Sequence, residues 1–543
     1  MRLSFGTKIW FLIGLALIAG LMGHYAFVIA RHLSYPWWYE LASDGDGLYV
    51  TQTLVLINNG DLTMVFHPGA TVFAIHGFVY RILSFFVPAY HPFVHLDQVS
   101  TPAEAFAILD LAMRTSRVLT YALNIAGMAV FWQLLYQLTK NRAVAYFLAA
   151  FLMTTRFMLI ERVTTIRPEL ISFIFCVLML SFVLYRRESA GTPVAATGIW
   201  GGIMTGFLGG LAGLTKLQAL PLVLCAGAWW VFMPARACGG MSSKKTAFFA
   251  LAAAAGNFLI MPWAWLERPA LLTDGYFKHF YPGSDQIRIY GTVPPDVCGP
   301  FVFVLAVLLI MTLIAGIQYK DQLEFTHKMV KLNLLVTGMI VSAYAVFLPL
   351  GMNAAAYAAA SNHLLYASAT NILFGGSLKN AVLDWSTWQR VANFQADILP
   401  YVRVAAAASL IRVCMRSTDR KPYYMVLLFF AAGFLMDVLS SFRRYTPDGP
   451  MISSYAIYSL PCHLCGLGAW LATECRCFRK RFGFDPAIIV CIVMAFNLWR
   501  VSADILARPR ASGLADDQTP RQEMLNTTSA VWPFWNIVSH GNL

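Results

Sequence analysis

Charge is what this sequence has least of. Asp, Glu, Lys and Arg together make up 12% of its 543 residues, against 58% hydrophobic residues. Soluble globular chains carry about 25% charged residues, so a water-soluble protein of this length is excluded. Acidic residues are the scarcer sign, 27 against 40 Lys and Arg, which leaves a formal net charge of +13. In a soluble chain that excess would suggest nucleic acid. Here the positive-inside bias and attraction to anionic lipid account for it more simply, so the lipid bilayer is the expected partner and nucleic acid is not. Internal repeats and low-complexity tracts are also lacking, whereas transporters built from repeated halves would show some echo of the repeat. The ten Cys residues give no disulfide framework. Cys462-x-x-Cys465 and Cys475-x-Cys477 have a zinc-like look, but on a helix rising about 1.5 Å per residue the two pairs would stand roughly 15 Å apart. Thiols buried in or beside the membrane are the better expectation.

Long apolar runs are what the chain has in abundance. Runs of bilayer-spanning length lie near 9–30, 115–138, 143–160, 169–186, 197–215, 218–234, 246–265, 299–318, 332–350, 399–415, 423–441, 452–473 and 486–505. The expected fold is an all-α polytopic membrane protein, a bundle of about thirteen transmembrane helices. The first run follows a short basic start, Arg2 and Lys8; a cleaved signal peptide ending near Ala16, Ala19 and Gly20 is the competing reading. With the N-terminus inside, Lys140 and Arg142, Arg186-Arg187, Lys244-Lys245, Lys328 and Lys331, Arg416 to Lys421, and Arg476 to Arg481 all fall on the cytoplasmic side.

Residues 1–505 then form one transmembrane module. Its longer outer segments are 31–114, 266–298 and 351–398, and 506–543 is an outer C-terminal tail. Within the first outer loop, Leu48 to Asn58 and Thr71 to Phe86 carry apolar residues at helical spacing with Gln52, Asn58, His76 and Arg81 interspersed. They read as two amphipathic helices lying in the interface. The alternative, Thr71 to Phe86 as a true span, would invert the sidedness of everything after it.

Carboxylates in such an apolar chain are costly to keep by accident. Asp44-Gly45-Asp46 lies just after the first run and is followed by Tyr49, Gly60 and His67-Pro68. Glu161-Arg162 and Arg167-Pro168-Glu169 occupy a tight turn between two spans. Lys216 follows the glycine-rich stretch Gly209 to Leu214, and Arg443-Arg444-Tyr445 with Pro447 and Pro450 closes a later span. On the expected topology all of them share one membrane face.

These residues resemble the GT-C glycosyltransferases, multispanning enzymes that use a polyprenyl-phosphate-linked sugar as donor. The likeness rests on the acidic pair in the first outer loop, the downstream aromatic and Gly, His67-Pro68 opening a second interfacial helix, the Arg167-Pro168-Glu169 turn, Gly210-Leu211-x-x-Leu214-Thr215-Lys216, and Arg444-Tyr445 with Pro447. The branch it looks most like holds the protein O-mannosyltransferases and the lipid A aminoarabinose transferases. It covers the first 220 or so residues by motif, and the rest by topology and Arg444-Tyr445. The commonest acidic motif of that family is Asp-Glu, where this chain has Asp-Gly-Asp, and His67-Pro68-Gly69 lacks the second Pro often seen.

The resemblance implies an inverting transfer at the periplasmic or lumenal face, to a glycan, lipid or protein acceptor. A polyprenyl phosphate is already a good leaving group, so one carboxylate suffices to take the acceptor's proton, unlike glycoside hydrolysis with its two. Asp46 or Asp44 fills that role; the second holds the acceptor or a divalent cation, Mg or Mn, through hard oxygen ligands. No cofactor is otherwise required. Lys216, Arg443, Arg444 and Arg167 are the candidates for the donor phosphate, and His67, Glu169 and Tyr445 for substrate. Each has a structural alternative: Asp44 as an N-cap, His67 as a helix cap, Arg167 with Glu169 as a turn pair, Lys216 snorkelling, and Arg443-Arg444 as an interfacial anchor.

Two other classes compete. A transporter or flippase of lipid-linked sugars would place polar groups near the midplane of several spans, where Asp437 and Asn257 are among the few present. A non-catalytic glycan-assembly subunit would tolerate neutralisation of both aspartates. A bacterial inner membrane is the expected location, since Gly541-Asn542-Leu543 is no retention signal; the endoplasmic reticulum is the alternative.

Overall fold

The computed structural model describes residues 46–59, 70–153, 166, 168–188, 195–216, 323–347, 399–415, 421–442 and 456–482, with scattered positions in 12–23, 219–230 and 492–503. Among the described residues all regular structure is helical and no strand occurs. The all-α expectation therefore holds. One helix among them is long and apolar enough to cross a membrane, and four shorter helical stretches are apolar. The apolar runs expected near 246–265 and 299–318 lie outside the described residues, as do most of 9–30, 218–234 and 486–505. Two compact units are present: Met1–Leu54, His76–Val177 and Ala381–Leu543 form the first, Val55–Ile75 and Leu178–Asn380 the second.

Helix α1 (Asp46–Asn59) differs from its expected place in the interface. Tyr49, Val50, Thr51, Gln52, Thr53, Leu54, Val55 and Leu56 are each at most 4% exposed, so successive residues all round the helix are covered. A helix lying on a membrane keeps one face wet; this one does not. Helix α2 (Ala70–Phe86) is one-sided. It buries Val72, Phe73, His76 and Tyr80 and leaves Phe78, Ile82, Phe85 and Phe86 exposed. Two short 3-10 turns, Pro88–Val94 and Leu96–Gln98, then lead to α3.

Helix α3 (Pro102–Thr139) runs for 38 residues, about 57 Å at 1.5 Å per residue. It starts well before the expected boundary near 115. The reason is a reciprocal cap: Glu104 N–H donates to Thr101 Oγ1 at 3.3 Å, Thr101 N–H donates to Glu104 Oε2 at 3.2 Å, and Pro102 takes the first turn. At the other end Lys140 adopts φ 53°, in the left-handed region. Asn141 Oδ1 then accepts from Val144 N–H at 3.2 Å, and the chain turns directly into α4 (Arg142–Met153).

In the first unit α3 is docked by aromatics of α2 and the turn after it. The Tyr80 hydroxyl bonds to Ser116 and donates to the Ala112 carbonyl at 3.0 Å, and its ring meets Phe93 edge-on at 5.0 Å. Further along, Gly127 admits Ile174, and Phe131 meets Phe173 at 5.8 Å, which seats the start of α5 (Pro168–Glu188). Helices α8 (Leu399–Cys414), α9 (Lys421–Phe442) and α10 (Ala456–Phe482) form the rest of the unit. Helices α9 and α10 are antiparallel and meet through glycine notches, His463 lying over Gly433 and Phe430 over Gly466. Gly468 in turn receives Leu135 and Thr139 of α3 and Leu148 of α4.

The second unit is organised by α6 (Ala195–Thr215) crossing α7 (Leu323–Phe347). Gly202, Gly206 and Gly210 recur every four residues on α6. A Cβ at Gly206 would overlap the Leu335 carbonyl oxygen, one at Gly338 the Ile203 carbonyl oxygen, and one at Gly210 the Ser342 hydroxyl. The two backbones are in direct contact, a geometry that small residues at a crossing allow. Lys331 closes one side, its Nζ 5.6 Å above the Trp230 ring and 3.4 Å from that residue's carbonyl oxygen.

Gly206→Leu is expected to drive α6 and α7 apart. The obstruction is backbone, which cannot swing away, so the loss should exceed the roughly 1–3 kcal/mol of ordinary overpacking. Thermal unfolding in detergent measures it, with Gly20→Ala as control because nothing lies within 4 Å of a Cβ there. Equal midpoints for both variants would rule out the close crossing.

Candidate functional site

Asp46 is the first residue of α1, where a negative charge is favoured by the unpaired N–H groups and the helix dipole. The helix behind it is buried, and Thr53 Oγ1 donates to the Tyr49 carbonyl at 2.6 Å, so a polar side chain is satisfied without water. Glu169 is the second residue of α5, after Pro168, and is 3% exposed. A first-turn carboxylate complements that helix end, in keeping with a structural share in its role. Both aspartate-bearing and glutamate-bearing helix starts belong to the first unit.

Lys216 belongs to the second unit and is 7% exposed. Its N–H donates to the Ala212 carbonyl at 3.0 Å and its own carbonyl accepts from Ala219 N–H at 3.0 Å. It therefore continues the hydrogen-bonding of α6 by one residue and turns the chain. A cation at a helix C-terminus is electrostatically favoured. Immediately before it, Thr215 Oγ1 donates to the Leu211 carbonyl at 2.6 Å and also bonds to the Thr71 hydroxyl. Thr71 is the second residue of α2, four positions after His67. Within this unit the segment that follows His67-Pro68 thus meets the residue that precedes Lys216. Asp44, His67, Arg167, Arg443, Arg444 and Tyr445 lie outside the described residues; α9 ends at Phe442, directly before the arginine pair.

A polar pair that sequence reasoning did not assemble stands in the first unit. His463 Nε2 is 2.7 Å from Asp437 Oδ2, and both side chains are 2% exposed. The imidazole edge rests against Gly433, where a Cβ would come within 2.6 Å of the ring. Among the described residues no hydrogen-bond partner meets His463 Nδ1. Asp437 was visible as a charge within an apolar run, and His463 stands between Cys462 and Cys465, but 26 positions separate the two. The nearby thiols of Cys462 and Cys465 form no disulfide, and Cys462 Sγ donates to the Tyr458 carbonyl at 3.4 Å. Among the described residues no group of three His, Cys, Asp or Glu side chains is arranged to hold a metal ion.

Comparison with protein families, with curated proteins and with solved structures finds no match to this chain.

Asp437→Ala should leave the buried imidazole without its hydrogen-bond partner and cost about 1–3 kcal/mol, whereas Asp437→Leu combined with His463→Phe, which replaces both partners by apolar groups, should recover most of that loss. Chemical unfolding of both variants separates the effect of the pair from simple loss of volume. If the double variant is as unstable as Asp437→Ala, the pair is not what the helices depend on.

Proposed function

We propose that this chain is a multi-pass integral-membrane glycosyltransferase of the GT-C type, with about thirteen spans. It moves a sugar, with inversion, from a polyprenyl-phosphate donor to a glycan, lipid or protein acceptor at the periplasmic or lumenal face. The observation that carries the reading is the Thr71–Thr215 contact. It joins the start of the helix opened by His67-Pro68 to the helix end that presents Lys216. The two threonines, 144 positions apart in sequence, are neighbours in one compact unit, each close in sequence to a site candidate, His67 for substrate and Lys216 for the donor phosphate. A cation 7% exposed beside them suits a phosphate whose charge grows as it leaves.

In the proposed step the acceptor hydroxyl oxygen attacks the anomeric carbon while Asp46 or Asp44 takes its proton. The bond from that carbon to the phosphate oxygen breaks, and the phosphate keeps the electron pair. Lys216, with Arg167, Arg443 and Arg444, balances the phosphate charge; His67, Glu169 and Tyr445 contact the substrates. If a divalent cation such as Mg or Mn were bound, Asp44 and Asp46 would be the residues to hold it, through hard oxygen ligands.

A second reading, a transporter of lipid-linked sugars, is favoured by one observation, the buried Asp437–His463 pair, because ionisable groups inside a helix bundle mark transport pathways. The two readings part in one experiment. Purified protein is supplied with polyprenyl-phosphate sugars and an envelope-glycan acceptor, and product formation is compared for wild type, Asp44→Asn and Asp46→Asn at matched protein level. The transferase reading expects a loss of about 10²–10⁴-fold in at least one variant, with Lys216→Met raising KM for the donor. Full activity in both aspartate variants removes the proposed base. Donor translocation across vesicles without any transfer favours the transporter.

A further inference from the structure

Helices α9 and α10 are joined by two directional contacts, one toward each end of α9. Near its start Tyr423 OH donates to Glu474 Oε1 at 2.8 Å. Near its end His463 Nε2 stands 2.7 Å from Asp437 Oδ2, with both side chains 2% exposed. Asp437 lies five residues before Phe442, where α9 ends, and Arg443-Arg444 follows directly. His463 lies seven residues after Ala456, where α10 begins. The buried pair therefore ties together the two helix ends that bound the segment opened by the arginines, about 8 Å from one end and about 11 Å from the other at 1.5 Å per residue.

Between the two contacts the helices meet through glycine notches, His463 over Gly433 and Phe430 over Gly466. Such packing sets how near the helices come, and it has little directional preference. A hydrogen bond is directional and short-ranged. A rotation of about 2° about Tyr423 carries Asp437, about 21 Å on, through about 0.7 Å. Added to 2.7 Å, that takes the bond beyond the roughly 3.2 Å limit of good geometry. The same rotation moves Phe442 about 1 Å. Apolar side chains of similar size would hold the helices together about as well. What they would not supply is a fixed angle at the end of α9.

We propose that Asp437 and His463 are positioning residues for the donor phosphate. They fix the end of α9, and through it the start of the segment that carries Arg443 and Arg444. The role rests on the transferase reading, in which those arginines balance the charge of the departing phosphate. Misplacement of a catalytic group by about 1 Å can cost about 10²-fold in rate, so a small pivot of α9 is enough to matter. The pair acts by its geometry, and its charge is not what the reaction uses.

The test measures sugar transfer and unfolding midpoint for the full chain purified in detergent. Asp437→Leu with His463→Phe should unfold close to wild type yet lose about 10²-fold in transfer, chiefly in kcat, because the phosphate charge grows in the transition state. Gly433→Ala, whose Cβ would come within 2.6 Å of the ring, displaces the imidazole by another route and should lower kcat likewise, whether or not the double variant folds. Asp437→Asn keeps an oxygen that accepts from the same N–H and should retain transfer. Tyr423→Phe removes the other contact, at the far end of α9, and should also retain it. Full kcat in the folded double variant or in Gly433→Ala overturns the proposal and leaves the transferase reading standing. Loss in Asp437→Asn as large as in the double variant overturns it as well, because charge would then be responsible, as the transporter reading expects. An equal loss in Tyr423→Phe would reduce the pair to ordinary helix packing. Wild type without any transfer removes the transferase reading, and the positioning role with it.

Discussion

The contact between the backbones of α6 and α7 sets the terms for the second unit. Dispersion between two helices falls off steeply with separation, so close approach of their backbones strengthens it. Gly202, Gly206 and Gly210 facing Leu334, Leu335, Met339 and Ser342, with Gly338 meeting Ile203 and Phe207, bring the helix axes as near as the chains allow. The end of α6 is fixed by that crossing. Thr215 can reach Thr71, and Lys216 can be held under cover, only because the helix that carries them cannot slide or rotate on its partner.

Buried and half-buried hydroxyls follow a second rule. Thr53, Thr205, Thr337, Ser409 and Thr473 each donate to the carbonyl four residues earlier in their own helix, at 2.6–2.8 Å. The polar atom is satisfied locally and asks nothing of neighbouring helices. Polar groups that do reach across helices are therefore informative: Thr71 to Thr215, Tyr80 to Ser116, Tyr423 to Glu474 and His463 to Asp437. Each fixes the register of two elements that shape complementarity alone would leave free to shift.

Helix positions were legible because apolar runs of helical length mark helices, and α5, α6, α8 and α9 overlie the runs that composition marks. The start of α3 was not, since Glu104, Asp110 and Arg114 give its first turns the look of a loop. Thr101, Pro102 and Glu104 held the information, in a cap motif that hydropathy does not weigh. For α1, Gln52 and Asn58 at helical spacing suggested a wet face, but periodicity cannot tell water from protein as the polar neighbour. Of the candidate site, Lys216 at the end of a glycine-rich helix was readable; the partner of the residue before it was not. The same holds for Asp437 and His463. Pairings across 26 or 144 positions depend on how helices are packed, and a single sequence carries no direct trace of that.

Helix α3 is about 57 Å long, nearly twice the roughly 30 Å of a bilayer's hydrocarbon core. It is gripped near its end by Gly468 of α10 and, in the first half of its length, by Tyr80 and by the Tyr90 hydroxyl, which bonds to Thr115 Oγ1 at 2.8 Å. Such a rod acts as a lever. A tilt of about 5° about its end near Gly468 carries the stretch that holds Tyr80, about 35–40 Å away, through about 3 Å. The α2 segment clamped there would travel with it, so a change of angle near Gly468 becomes a displacement of about 3 Å at the Tyr80 contact.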